Sequence, residues 1–337
     1  MSDLPDRRYR NVDASPVRTV DDGSVRTGDG TDATRGGGPM TSATLEVVVL
    51  AVLPAVLWGL APIFDKRGMA AGGGSVQASL VVVVVDSAIY WAAIAALYGS
   101  SAFSGLTLEV LVVFVFAGVV GTAIGRITIF VGVDRVGASL NSTILSTRPL
   151  FATAIALAVL GEPLGTVTGL GIVILVAGLS VLTFSQGGDL EGWQPRDLLW
   201  PIAAAATFAV ANVARRYGML ETPISALEAV AINEAAGFVA LAAYVATVGG
   251  REVLAKPRAS YRYFVVSGVL TTVAMLSLMA ALGLEEGRIA IVDPLVATAP
   301  FFTLLFAAVF LRDLERVTRG VVAGAVLVVV GAVLITI

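Results

Sequence analysis

The sequence predicts an all-α, polytopic membrane protein with ten transmembrane helices in two inverted five-helix repeats. Of its 337 residues, 57% are hydrophobic and 14% are charged, and the mean hydropathy is +0.88, far more apolar than a soluble domain. Ten apolar runs are long enough to cross a hydrocarbon core about 30 Å thick. The stretch 141–163 also has a counterpart in 292–314, with Pro300 matching Pro149 and Asp313 matching Glu162.

The chain begins with a polar segment, residues 1–44, rich in Asp, Arg, Gly, Ser and Thr. Such a composition cannot bury enough apolar surface to offset the entropy of ordering, so we expect a disordered N-terminal tail. The first long apolar run starts only near Leu45. The segment therefore lacks the apolar core of a signal peptide.

The ten predicted spans follow one another with short polar links. The longest link, 185–197, contains Gly187, Gly188 and Pro195 and lies where a linker between two halves is expected. The spans cover residues 45–65, 76–98, 108–131, 137–160, 167–184, 198–216, 226–248, 263–283, 289–311 and 319–337.

The two halves, 45–184 and 198–337, resemble each other in sequence. Gly68-Met69 recurs as Gly218-Met219, and each pair follows two basic residues. Because five is an odd number, the second half enters the membrane from the opposite side, which is the inverted-repeat arrangement common among secondary transporters. A duplication that survives only as scaffold is the alternative.

The composition excludes several kinds of chemistry. The chain has no cysteine and no histidine, which excludes disulfides, Cys/His metal sites, thiol nucleophiles and histidine switches. It also has no phosphate-binding loop motif. We therefore expect no catalytic residues, cofactor, bound metal or nucleic-acid partner, and only Asp or Glu can titrate near neutral pH.

Five ionisable side chains lie well inside the predicted spans, where each costs about 2.5–3.5 kcal/mol to insert unless it has a partner or faces a cavity. They are Asp86, Arg126, Arg148, Glu234 and Asp293. Asp86 and Glu234 lie at similar depths in corresponding spans, which predicts a pair that couples transport to protons or cations. A structural pairing of Asp86 with Arg126 or Arg148 is equally compatible with the sequence.

The two arginines need a carboxylate partner or an anionic substrate, because a guanidinium cannot lose its proton in practice. Arg126, Arg148 and Asp293 are accordingly predicted to contact substrate. A structural salt bridge is the alternative for each arginine. Both arginines facing one cavity would favour an anionic or zwitterionic substrate.

The fourth span also carries a polar stripe at helical spacing, formed by Ser142, Thr143 and Ser146. We predict that these three side chains bind substrate, with hydrogen bonding to a neighbouring helix as the alternative. Three prolines are predicted to interrupt helices near the site, because each removes a backbone hydrogen bond. They are Pro149 in the fourth span and Pro294 and Pro300 in the ninth.

Short motifs in fixed order resemble the drug/metabolite transporter superfamily, specifically its EamA-type members with two repeats. The motifs in the first half are Trp58-Gly59, Val136-Gly137-Ala138-Ser139, Pro149 and Leu160-Gly161-Glu162-Pro163-Leu164. Pro300 and Leu311-Arg312-Asp313-Leu314 match in the second half, although Asp313 replaces the usual Glu. The resemblance covers about 45–337. It implies a central cavity between the repeats, alternating access and cytoplasmic termini.

These observations together predict a secondary transporter, not an enzyme, that exports a small metabolite across the cell membrane, with proton or cation coupling as an option. Its expected partners are a small-molecule substrate and the lipid bilayer, and an oligomer is left open. Loop charges disagree with cytoplasmic termini, since most basic loop residues would then lie outside. An intramembrane enzyme acting on a lipid-linked substrate, built on the buried carboxylates, and a passive channel are the alternatives.

Overall fold

The computed structural model describes residues 42–185, 192–248, 250, 253, 255–310 and 319–337. These residues form helices and links, with no strand among them. The predicted tail up to residue 41, most of the linker and the Leu311–Leu314 motif lie outside the described residues.

The prediction of ten apolar helices is confirmed within the described part of the chain. Ten helical segments are long and apolar enough to cross a membrane. They are Thr44–Ala70, Ser75–Leu97, Leu108–Val136, Leu140–Val159, Thr166–Phe184, Pro195–Leu220, Ala226–Thr247, Arg258–Gly283, Ile289–Phe306 and Arg319–Thr336.

Several spans are built from more than one helix. The first repeat contains α1 (Ser42–Ala70), α2 (Ser75–Leu97), α3 (Leu108–Ala117), α4 (Gly125–Val136), α5 (Ala138–Leu145), α6 (Arg148–Val159) and α7 (Thr166–Phe184). A π-helical segment, Gly118–Ile124, joins α3 to α4. The second repeat contains α8 (Leu199–Leu220), α9 (Ala226–Val248), α10 (Arg258–Gly283), α11 (Ile289–Val296), α12 (Ala299–Phe310) and α13 (Arg319–Thr336).

The fourth and ninth spans are interrupted at matching places. Ser146 and Thr147 separate α5 from α6, and Ala297 and Thr298 separate α11 from α12. Pro149 and Pro300 are the second residues of α6 and α12, where a missing N–H costs no intrahelical bond. Pro294, in contrast, lies inside α11 and does not interrupt it.

Gly137 forms the whole link between α4 and α5. Its φ of 86° lies in the left-handed region that glycine enters without steric cost. The chain can therefore reverse its direction within one residue.

Successive spans run in alternating directions, so their links gather on two sides of the molecule. We call the side where α1 begins the N-terminal side. Contacts there join distant links: Glu228 accepts from Phe103 N–H at 2.6 Å. On the opposite side, Arg135 contacts Asp197 at 3.5 Å.

Close helix packing depends on glycine at one long interface. Gly171 and Gly178 of α7 meet Gly331 and Leu327–Val328 of α13 with almost no room for a side chain. Backbones approach closely at such positions, which favours van der Waals packing between apolar helices. Large apolar side chains such as Leu97 and Leu108 remain exposed on the outer surface, as expected for a surface that faces lipid.

Candidate functional site

A cavity of about 480 Å³ lies between the two repeats. The first repeat contributes residues of α1, α2, α4, α5 and α6 and of the π segment, and the second contributes residues of α8, α9 and α10. Three aromatic rings and a methionine form much of its apolar wall: Trp58, Phe130, Phe208 and Met275. A site of this size and composition suits a small molecule with an apolar body.

The cavity extends from the side opposite the N-terminal side into the interior of the molecule. Its wall reaches Met69 and Ser75, on either side of the α1–α2 link. On the N-terminal side it ends more than a helical turn before the ends of α8 and α10, with Arg215 and Leu278 as its last residues. The cavity is therefore closed off from the N-terminal side by packed helices.

Arg126 lines this cavity without a charged partner in contact. Among the described residues, no carboxylate lies within ion-pair distance of its guanidinium and no acceptor takes a hydrogen bond from it. Asp65 lines the same cavity, and the two charges attract each other electrostatically. The buried Oδ1 of Asp65 has no hydrogen-bond partner in the described structure. One cavity thus presents a cation and an anion, each with bonding capacity to spare.

Arg148 lines the cavity too, but it is tied to the second repeat. Its Nε donates to Asp293 Oδ2 at 3.1 Å, and a terminal nitrogen donates to the Asp293 carbonyl at 3.3 Å. The other carboxylate oxygen of Asp293 accepts from Asn212 Nδ2 at 2.5 Å. The side chain of Asp293 is 1% exposed. This buried pair joins the interruption of the fourth span to that of the ninth.

A polar chain continues from Asn212 through α8 to α9. Arg215 donates to Asn212 Oδ1 at 2.7 Å and to Asn233 Oδ1 at 3.0 Å. Asn233 in turn donates to Glu234 Oε1 at 2.8 Å, which also accepts from Thr122 at 3.1 Å. The network satisfies most of its buried polar groups. Glu234 Oε2, however, is buried without a hydrogen-bond partner among the described residues.

Asp86 lies behind the cavity wall, in the middle of α2, and is fully buried. Its Oδ1 accepts from Thr272 Oγ1 at 2.8 Å, while its Oδ2 has no hydrogen-bond partner in the described structure. Tyr90 donates to the Thr272 carbonyl at 2.6 Å. Asp86 and Glu234 interact electrostatically. The structure thus brings together the two carboxylates that the sequence suggested as a coupling pair.

The polar stripe of the fourth span lies outside the cavity wall. Thr143 shares a hydrogen bond of 2.8 Å with Thr183 of α7, and Ser146 donates to the Ser142 carbonyl at 2.8 Å. None of Ser142, Thr143 and Ser146 belongs to the cavity wall. The Thr143 hydroxyl takes part in a helix contact, and the Ser146 hydroxyl bonds to a backbone carbonyl.

Sequence reasoning missed four polar residues of the site: Asp65, Asn212, Arg215 and Asn233. Hydropathy ended the first span at Asp65 and the sixth at Arg216, whereas α1 and α8 continue to Ala70 and Leu220. The spacing of three residues between Asn212 and Arg215 places them on one helix face. That spacing is the signal that could have identified them.

The unpaired groups of the site are suited to binding charged groups. No group of three or more acidic side chains suited to a metal ion occurs in the described part of the chain. The unpaired groups are a guanidinium and carboxylate oxygens facing, or lying next to, an apolar cavity. Such groups recognise charged ends of a small molecule or exchange protons.

Comparisons with known proteins agree with this fold. An uncharacterized transporter of Clostridium kluyveri is 27% identical over 155 residues, which cover 43% of this chain and 46% of that protein. The match thus spans about half the length of the relative. A protein of known crystal structure has a TM-score of 0.66 at 19% identity, covering 88% of this chain and 99% of its own. That identity shows the fold alone. The model of the EamA-like transporter family matches residues 45–184 and 196–337, so the chain belongs to the EamA-like transporter family.

Proposed function

We propose that this membrane transporter is a secondary transporter that exports a small metabolite by alternating access. The observation that carries the proposal is the cavity between the repeats, with the unpaired Arg126 in its wall. The cavity is closed towards the N-terminal side, and both interrupted spans meet next to it at the Arg148–Asp293 pair. Interrupted helices at matched positions are the usual setting of a substrate site between inverted repeats.

The substrate proposed for this cavity has an anionic group, an apolar body and, at the other end, a cationic group. Arg126 receives the anion because its guanidinium has no protein partner in contact among the described residues. Asp65 Oδ1 receives the cation. Trp58, Phe130 and Phe208 cover the body. Arg148 serves as a second anion contact only when it leaves Asp293.

Coupling to protons is proposed for Asp86 and Glu234. Three guanidinium groups at the cavity (Arg126, Arg148 and Arg215) face four carboxylates (Asp65, Asp86, Glu234 and Asp293). One proton shared by Asp86 and Glu234 makes this cluster neutral. A neutral cluster favours the change of conformation, because moving a net charge within the low-dielectric surroundings of a membrane span is costly.

The proposed location is the cell membrane, with both termini in the cytoplasm. In that orientation the cavity faces outward and its closed end faces the cytoplasm. Accessibility of a tag at either terminus to protease in intact cells tests this orientation. Digestion of either tag by protease added outside the cells would indicate the opposite orientation.

Transport is tested with the purified chain in proteoliposomes. A metabolite collection is first screened for thermal stabilisation, since a ligand at 100 times its Kd stabilises the fold by about 2.7 kcal/mol. Flux of each stabilising compound is then measured with and without a pH gradient. Arg126→Gln should abolish both stabilisation and flux, whereas the exposed Arg196→Gln should retain them.

Three results would contradict the proposal. Full binding and flux in Arg126→Gln would place the substrate elsewhere. Single-channel currents would indicate a passive channel. A covalently changed product would indicate an enzyme.

A further inference from the structure

A second buried ion pair lies outside the cavity, on the N-terminal side. Arg216 of α8 donates from Nε to Glu162 Oε1 at 3.0 Å. Glu162 follows α6 in the first repeat, so this pair joins the two repeats. The side chains of Arg216 and Glu162 are 4% and 9% exposed. Desolvating two charges in this way is tolerable only when further hydrogen bonds complete the pair.

Those further bonds lead to the end of α10, the α10–α11 link and the start of α11. Arg216 donates to the carbonyls of Leu282 at 2.8 Å, Leu284 at 2.5 Å and Glu285 at 2.9 Å. The second oxygen of Glu162 accepts from Ile289 N–H, the first residue of α11, at 2.8 Å. A carboxylate at this place also offsets the positive end of the helix. One ion pair thus fixes the α10–α11 link and the start of α11.

The pair is connected to the substrate site through α11. Asp293, the partner of Arg148, follows Ile289 by four residues, or about 6 Å along the helix. The Glu162–Arg216 pair therefore holds the start of a short helix whose middle carries Asp293, a charge of the cavity cluster. If the start of α11 moves, Asp293 moves with it.

The basic residue at the matching position of the first repeat, Lys66, differs from Arg216 in its exposure. Lys66 precedes Gly68-Met69 as Arg216 precedes Gly218-Met219, yet Lys66 is exposed and Arg216 is buried. The side near Lys66 is the side to which the cavity extends. The basic residue is thus buried on the closed side and exposed on the open side.

We propose that Glu162 and Arg216 form the gate on the N-terminal side of the substrate pathway and separate in each transport cycle. This gate rests on the alternating access proposed above. It assigns Glu162 and Arg216 a positioning role: they hold α11, and through it Asp293, without touching substrate.

The absence of native cysteine allows a direct test by thiol labelling in nanodiscs, where both sides are accessible. Ala156, buried on α6 about one turn before the end of that helix, is replaced by cysteine as the reporter. In Glu162→Gln, one of the two donors, Arg216 Nε or Ile289 N–H, faces an amide NH₂ and loses its acceptor. We expect a charged maleimide to react with the reporter about tenfold faster, since a charge-assisted hydrogen bond is lost.

Two controls separate gate opening from unfolding. Leu175→Cys, fully buried between α7 and α13, should stay protected in Glu162→Gln. Asp197→Asn removes the ion pair with Arg135 on the opposite side and should leave the Ala156→Cys rate unchanged. If Glu162→Gln exposes both reporters, Arg216→Lys replaces it, because a lysine with three donors cannot serve all four acceptors of Arg216.

Protection of Ala156→Cys at the original level in folded Glu162→Gln and Arg216→Lys overturns the gate. The labelling result does not depend on transport. If the unmodified protein carries none of the stabilising compounds yet the reporter is exposed as expected, the transport proposal fails, but the pair still closes the N-terminal side. If transport is observed and the reporter stays protected, only the gate fails.

Discussion

Replacing Asp293 by Asn should destabilise the protein strongly. Both carboxylate oxygens accept hydrogen bonds, one from Arg148 and one from Asn212. Asparagine offers a single acceptor oxygen, so its NH₂ would face one of these donors. The change also leaves the Arg148 guanidinium without a counterion inside a membrane span.

The magnitude follows from the burial of the pair. Removing one partner of a buried ion pair costs about 3–5 kcal/mol. Arg148 retains 15% exposure through the cavity, whereas Asp293 retains 1%, so water can partly solvate the remaining cation. We therefore expect a loss of about 3 kcal/mol, at the lower end of that range.

The assay is equilibrium unfolding in mixed micelles with increasing SDS fraction, followed by tryptophan fluorescence. Asp293→Asn, Arg148→Gln and the double variant form a cycle, and we expect the double variant to cost less than the sum by about 2 kcal/mol. Asp197→Asn is the matched control, because its partner Arg135 is 55% exposed and surface pairs contribute about 1 kcal/mol at most. Additive single effects, or a loss in Asp293→Asn no larger than in Asp197→Asn, would refute the reasoning.

Three further changes give separate readouts. Asp86→Asn should remove the response of flux to a pH gradient but keep ligand-induced thermal stabilisation, since Asp86 lies behind the cavity wall; an unchanged response would exclude it as the coupling group. Asp65→Asn should weaken binding of zwitterionic ligands more than of simple anions, measured as Kd ratios; equal weakening would contradict a cation contact. Gly178→Ala should cost about 1–3 kcal/mol in micelle unfolding, because its Cβ would lie 2.6 Å from a backbone nitrogen of α13, while Gly74→Ala, with open space around it, should cost little.

The helical architecture could be predicted from the sequence because hydropathy and repetition act over many residues. The prediction of ten spans and of their order depends on apolarity averaged over many residues. It therefore holds even when the predicted ends of a span are wrong by several residues. Helix ends are harder. Charged residues such as Asp65 and Arg216 end a hydropathy window, but α1 and α8 continue past them, because Arg216 is paired with Glu162 and Asp65 faces the cavity.

Parts of the site could be predicted because charged residues are costly within membrane spans and are therefore usually functional or paired. Asp86, Arg126, Arg148, Glu234 and Asp293 stand out against apolar neighbours, and the structure groups them around one cavity. Which of them pair could not be predicted, because pairing depends on how helices rotate against each other. Only the fold shows that the Glu162 carboxylate reaches α8 and α11.

The two repeats share the same order of helices but differ in the charges at some matching positions. This difference distinguishes the residues of the proposed gate from the residues of the proposed substrate site. When the two Gly-Met pairs are aligned, Lys66 corresponds to Arg216 and keeps its sign, whereas Asp65 corresponds to Arg215 and reverses it. Both Asp65 and Arg215 line the cavity. Residues that close the two sides of the protein in turn need charges of the same sign, since each side must form a comparable ion pair when it is closed. Residues that hold one asymmetric molecule need different charges, because its two ends differ whichever side is open.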